Sequence, residues 1–164
     1  MKKAMVFATL AGLVPAVGAY AAAGSNAPGK ATLKQTALYQ IEKIEKTWHR
    51  AASTKNLDLM MSIWAPNATM TIGGKTFTGT QAIHDVFARA APFQPENHWI
   101  SDTPAYKVRT TVNGDKGTLY FECHYINADN KTVAVVVGAD QKVARINGKW
   151  LITQLIAATP VLTP

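Results

Sequence analysis

Four histidines, ten acidic residues and a single cysteine are the groups with which this 164-residue chain could move protons, hold a metal or attack a carbon. His98 and Asp102 stand out, on a segment that follows the Pro92 and Pro95 loop. An imidazole titrates close enough to neutral pH to serve as either acid or base. If residues 98–112 are extended, His98 and Asp102 share one face, because strand side chains alternate with period two. Four strand residues separate them by about 13 Å, against about 3 Å for a direct hydrogen bond. They would line one surface at different depths without forming a dyad. Each also has a plainer reading: a histidine hydrogen-bonded at a strand end, and a solvated strand-end acid.

The remaining candidates are thinner. His49, His84 and His124 show no His-x-x-x-His or His-x-x-Glu spacing, and Glu122 and His124 share only one strand face, so no metal site is expected. Cys123 lies within the apolar-aromatic run 119–125 and reads as a packing residue; being alone, it makes no internal disulfide. Gly73-Gly74 joins two strands and opens no helix, so it is not a phosphate cradle. No Ser–His–Asp arrangement is readable.

Several elements must position these groups. Leu38, Ile41, Ile44, Trp48, Ala51 and Ala52 recur every three or four residues, which predicts a helix over residues 32–54 with Glu42, Lys43, Lys46 and Arg50 on its wet face. A short helix over 57–64 stops at Pro66. The Thr-rich stretch 67–77 reads as a hairpin. Thr80 is placed to cap a third helix over 81–90. Strands are expected at 98–112, 117–126, 132–137, 141–146 and 149–158, with turns at Asn113-Gly114-Asp115, Asn127-Ala128-Asp129-Asn130 and Asn147-Gly148. Helices first and antiparallel strands after argue an α+β domain, with three N-terminal helices packed on the concave face of a curved, cone-shaped antiparallel sheet.

The N-terminus has its own pattern. Lys2-Lys3, an apolar run from Ala4 to Gly18, and the small residues Ala19-Tyr20-Ala21 and Ala21-Ala22-Ala23 predict a removable secretory signal over residues 1–23. A tether over 24–31 and one domain over 32–160 follow. Periplasmic or secreted localisation is therefore expected, with no membrane attachment after cleavage. Without Lys2 and Lys3 the formal charge falls from +7 to +5. The basic residues are scattered singly, which is not the footprint of a nucleic-acid binder.

The order and several local words resemble the SnoaL-like branch of the nuclear transport factor 2-like superfamily. These words are Asn56-Leu57-Asp58-Leu59 through Trp64-Ala65-Pro66-Asn67-Ala68-Thr69, then Gly79-Thr80-Gln81-Ala82-Ile83, His98, and the closing Arg145, Gly148 and Trp150. The resemblance spans about residues 33–156. It implies an apolar pocket between helices and sheet, a homodimer through the outer sheet face, and relatives that include isomerases, dehydratases, cyclases, hydrolases and pure binding proteins.

It also implies that His98 faces the pocket as acid or base, with Asp102 where relatives often carry asparagine; Trp48, Trp64, Phe121 and Gln141 are the candidate ligand contacts, Trp48 and Trp64 reading first as core and second as pocket wall. This chain departs from that pattern in places. Trp48 stands where relatives often carry a tyrosine, and an indole has no hydroxyl proton to exchange. The Ile72-Gly73 turn lacks an acid, and Gln141 replaces one. Two readings result: a cofactor-free dehydratase, isomerase or cyclase acting on a small apolar oxygenated molecule through His98, or a non-catalytic carrier using the same pocket.

Overall fold

The computed structural model describes residues 28–162, with side chains described to residue 156. The expected signal over 1–23 and the tether up to residue 27 lie outside the described residues. The first helix, α1 (Lys30–Ser53), begins two residues earlier than its periodicity predicts and buries Ile41, Ile44, Glu45, Trp48, His49, Ala51 and Ala52. That stripe recurs at three- and four-residue steps, which keeps it on one side of a 3.6-residue helix. The short helix α2 (Leu57–Met61) is capped by Asn56, whose side-chain oxygen accepts from the Leu59 N–H at 2.8 Å.

Strand β1 (Trp64–Ile72) starts where the second helix was expected to run on, and it includes Pro66. It turns through Gly73-Gly74, both at positive φ, into β2 (Lys75–Thr78). Helix α3 (Thr80–Arg89) follows, and Thr80 does not cap it. The entry is Gly79 at φ +84°, a backbone angle that residues with a Cβ rarely adopt.

The expected long strand over 98–112 is two strands, β3 (Trp99–Asp102) and β4 (Arg109–Asn113), parted by Pro104 and a 3-10 turn. Both pair antiparallel with β5 (Lys116–Asn127). In the other direction, the two strands expected over 132–146 are one, β6 (Val133–Ile146), with irregularities against β7 (Lys149–Leu162) at Val136/Val137, Asp140/Gln141 and Lys142/Val143. A bulge interrupts the alternation without ending the strand.

The sheet runs β2-β1-β7-β6-β5-β3, with β4 also on β5. It is curved and mixed, not wholly antiparallel, because β1 returns beside β7 in parallel. Helices α1 and α3 cover its concave face, where Ile41, Met60, Ile83, Leu119, Phe121, Ile152 and Leu155 are almost wholly removed from water. Each such side chain contributes about 1.5–3 kcal/mol of burial free energy. Gly117 lets α1 come close: a Cβ there would stand 2.4 Å from the Thr111 carbonyl oxygen and 3.1 Å from Ile41 Cδ1. No helix among the described residues is long and apolar enough to cross a membrane.

Candidate functional site

The register of β3 decides what faces inward. Trp99 lies opposite Asn127 and Ser101 opposite Tyr125, so the odd-numbered residues of β3 share the concave side with Cys123 and Tyr125. The even-numbered residues point the other way. His98 therefore does not enter the interior: its side chain is 59% exposed, and its Nδ1 lies 2.9 Å from Asp129 Oδ2. Asp102, opposite His124, is also exposed, and its Oδ1 accepts the Thr103 N–H at 2.8 Å. The two share a face, as expected, but it is the outer face. A strand shifted by one residue exchanges its faces completely, which is why the expected inward histidine is overturned.

Inside, a cavity of about 200 Å³ opens between α1, α3 and strands β5, β6 and β7. Its wall is almost entirely apolar and includes Trp48, Met70, Phe87, Phe93, Trp99, Val137, Ala139 and Leu155. Of the four expected ligand contacts, Trp48 alone lines it. Its indole packs edge-on against Phe87 and Phe121, with centroids 5.2 and 5.6 Å away. Trp64 and Phe121 are core residues beneath Trp48. Gln141 is 1% exposed between Leu119 and Leu155, and both polar atoms of its amide lack a hydrogen-bond partner. A groove of about 600 Å³ also lies beneath the first turns of α1, but Lys30, Lys34, Gln40 and Arg145 make it a polar surface feature.

Two titratable groups line the apolar cavity. Burial pushes the Cys123 thiol up to about 12, and the phenol of Tyr125 is raised well above its ordinary range, again chiefly by burial. Both stay protonated at neutral pH, so Tyr125 presents a hydroxyl and not a phenolate. The Trp48 N–H completes no hydrogen bond of its own.

Behind this wall runs a buried polar chain. Glu45, His49 and Ser101 are 9%, 7% and 6% exposed. His49 Nδ1 is 2.6 Å from Ser101 Oγ, and His49 Nε2 is 2.6 Å from Thr103 Oγ1 and 3.2 Å from Glu45 Oε1. The tautomer follows from the network. Thr103 donates its one hydroxyl proton to the Glu122 carbonyl, so towards His49 it can only accept. Nε2 therefore carries a hydrogen, which in the neutral form of the ring leaves Nδ1 bare to accept the Ser101 hydroxyl. Ser53 on α1 fixes the strand, its hydroxyl oxygen accepting the Ser101 N–H at 2.8 Å. The signal for Glu45 and His49 was present: they stand four apart, each beside Ile44 or Trp48 on the buried stripe of α1. Ser101 had no such signal without the register.

On the outer face, Glu122 is buried beside Lys107, Tyr120 and His124, at 3.0, 3.0 and 3.4 Å. Burial alone would raise its carboxyl, but those hydrogen bonds prevail and hold it below the ordinary value.

Residues 35–156 match the profile of the SnoaL-like domain. The chain belongs to the SnoaL-like domain family. Solved structures agree on the fold. A candidate dehydratase of the nuclear transport factor 2-like family from Streptomyces avermitilis is 16% identical, with 79% of this chain and 99% of that chain covered at a TM-score of 0.64. A nuclear transport factor 2-like protein of unknown function from Pseudomonas putida KT2440 is 12% identical, covering 79% and 98% at 0.66. One with a cystatin-like fold from Novosphingobium aromaticivorans is 15% identical, covering 80% and 86% at 0.66. No curated protein matches the chain. At such identities this SnoaL-like chain shares a fold with these proteins, and its chemistry rests on its own side chains.

Proposed function

We propose that this SnoaL-like protein binds a small, compact, mainly apolar molecule in the cavity between α1, α3 and the sheet. The observation that carries the proposal is the cavity itself: about 200 Å³, walled by aliphatic and aromatic side chains and open at one side. An apolar cavity of about 150 Å³ accepts benzene, so this one suits a single ring with a short substituent. The carrier reading is favoured over proton transfer by His98, because that ring faces solvent. The Lys2-Lys3 and apolar N-terminal pattern supports work in the periplasm or outside the cell. Ile100 and Val133, 49% and 38% exposed, support a second copy as partner.

Trp48 and Trp99 in the wall supply the readout. Titration with monocyclic ketones, phenols and lactones is expected to change tryptophan emission saturably, and Val137→Phe, which fills the cavity, to abolish the change while the fold survives. Absence of saturable binding across the panel, or binding indifferent to Val137→Phe, overturns the proposal. Mass spectrometry of protein purified from its own host identifies the resident molecule.

A further inference from the structure

The chain Glu45–His49–Ser101 has the connectivity of a nucleophile, its base and the group that orients the base. Nδ1 of His49 stands 2.6 Å from Ser101 Oγ, while the Nε2–H faces Glu45 Oε1 at 3.2 Å and Thr103 Oγ1 at 2.6 Å. A serine hydroxyl is a weak nucleophile until an adjacent base removes its proton, and the base works only in the tautomer that leaves the facing nitrogen bare. Because Thr103 donates to the Glu122 carbonyl, its oxygen accepts from Nε2, and Nδ1 is the bare nitrogen whenever the ring is neutral.

Ser101 also stands beside the cavity. Its opposite number Tyr125, its diagonal neighbour Cys123 and its strand neighbour Trp99 all line the wall. Two hydrogen-bond donors belong to residues of that cavity wall. The Trp48 N–H is buried without a partner, and the Tyr125 hydroxyl is the cavity's own phenol. An unpaired buried N–H carries a desolvation cost of about 1–3 kcal/mol that an arriving oxygen would offset.

We propose that Ser101 is an acyl-transfer nucleophile for small apolar esters admitted through the cavity, with His49 as its base, Glu45 orienting that base, and Trp48 and Tyr125 facing the developing oxyanion. The assignment rests on the binding reading in one respect only, that substrate enters by the same cavity. Ser101 Oγ bonds to the acyl carbon as its proton passes to His49 Nδ1. The tetrahedral oxyanion collapses, the acyl carbon–oxygen bond breaks, and the leaving alkoxide takes the proton from His49. Water then attacks the acyl-serine, gives its proton to His49, and Ser101 leaves with that proton. Ester and water become acid and alcohol, and the protein is unchanged.

A short-chain alkyl fluorophosphonate, with p-nitrophenyl acetate as turnover substrate, tests this on the whole chain. Peptide mass spectrometry is expected to find the label on Ser101, and Ser101→Ala to lose both label and hydrolysis. His49→Gln is expected to slow labelling by about 100-fold or more, and Glu45→Gln, which keeps the shape, by a smaller factor. Because His49→Gln removes a buried partner and risks unfolding, protection serves as a second measure: a cavity ligand is expected to slow labelling of the unmodified protein. Absence of label while tryptophan emission still reports ligand binding overturns the nucleophile and leaves the binding reading standing. Label on another serine, or on Ser101 at a rate that a folded His49→Gln variant does not change, also overturns it. Label on Ser101 that no bound ligand slows overturns access by way of the cavity.

Discussion

Ser101 lies directly opposite Tyr125 across β3 and β5, and this one pairing fixes which residues of β3 meet the cavity and which meet water. Its neighbours in sequence, Ile100 and Asp102, are consequently exposed, and so is His98 at the start of the segment.

His98→Ala is accordingly expected to leave the protein almost unchanged. The pair it forms with Asp129 is exposed on both sides, 59% and 68%, and exposed ion pairs contribute little. Thermal melting should shift by the equivalent of no more than about 0.5 kcal/mol. Ligand affinity should be unaltered. A large loss of affinity would place the ring in the site after all.

Gln141→Met is expected to stabilise the fold. The amide is 1% exposed with both polar atoms unpaired, and methionine offers a similar length without them. A gain of about 1–2 kcal/mol should appear as a higher urea midpoint at unchanged slope. A loss of stability would mean that the amide has a partner among the bound molecules or waters of the native protein.

Gly117→Ala should be costly, although its φ is ordinary. The added methyl would meet the Thr111 carbonyl at 2.4 Å, Ile41 Cδ1 at 3.1 Å and Val143 Cγ2 at 3.3 Å. Backbone cannot step aside as a flexible side chain can. Overpacking of this kind costs about 1–3 kcal/mol, measurable by denaturant unfolding.

Glu122 predicts a pH dependence. Its carboxyl is held below the ordinary 4.5 in the folded chain, so unfolding would take up protons as the medium becomes acid. Its stabilisation is complete above the unfolded value and is lost as pH falls through the lower folded value. Melting temperature should therefore fall below about pH 4.5. Glu122→Gln should flatten that part of the curve while lowering stability at neutral pH.

Cys123 should resist alkylation. Its thiol is buried and raised to about 12, whereas the thiolate is the reactive form. Iodoacetamide is expected to modify it only in denaturant. Rapid modification of the native protein would show that the cavity opens to solvent at that wall.

Much of the architecture was legible because its signals are local. The α1 stripe, the Gly73-Gly74 and Asn147-Gly148 turns, and the order of helices and strands all follow from spacing and turn chemistry. The errors arose where a long-range pairing overrode a local signal. Pro66 is a local stop signal, yet β1 runs through it, with its ladder to β7 broken between Trp64 and Thr69. Asp140-Gln141 was read as the limit of a strand, yet it is a bulge within one. The same limit applied to the site. Parity along β3 is certain from sequence, but which parity faces inward depends on Tyr125, more than twenty residues away in the chain. His49 has no second histidine at ligand spacing to mark it. Its partners are a carboxylate one turn earlier on α1 and two hydroxyls on a distant strand.

The parallel contact of β1 with β7 also constrains how the chain acquires its shape. Trp64 must wait for Ile152, about 90 residues later, before its edge of the sheet is closed. Contacts so remote in sequence slow folding, because a large loop must be ordered before they form. A polypeptide emerging N-terminus first from a ribosome or a translocation channel would hold its helices beside an unfinished sheet until the last strand was free. Helpers that shield greasy segments during that interval should therefore raise the yield of this protein more than they raise its final stability.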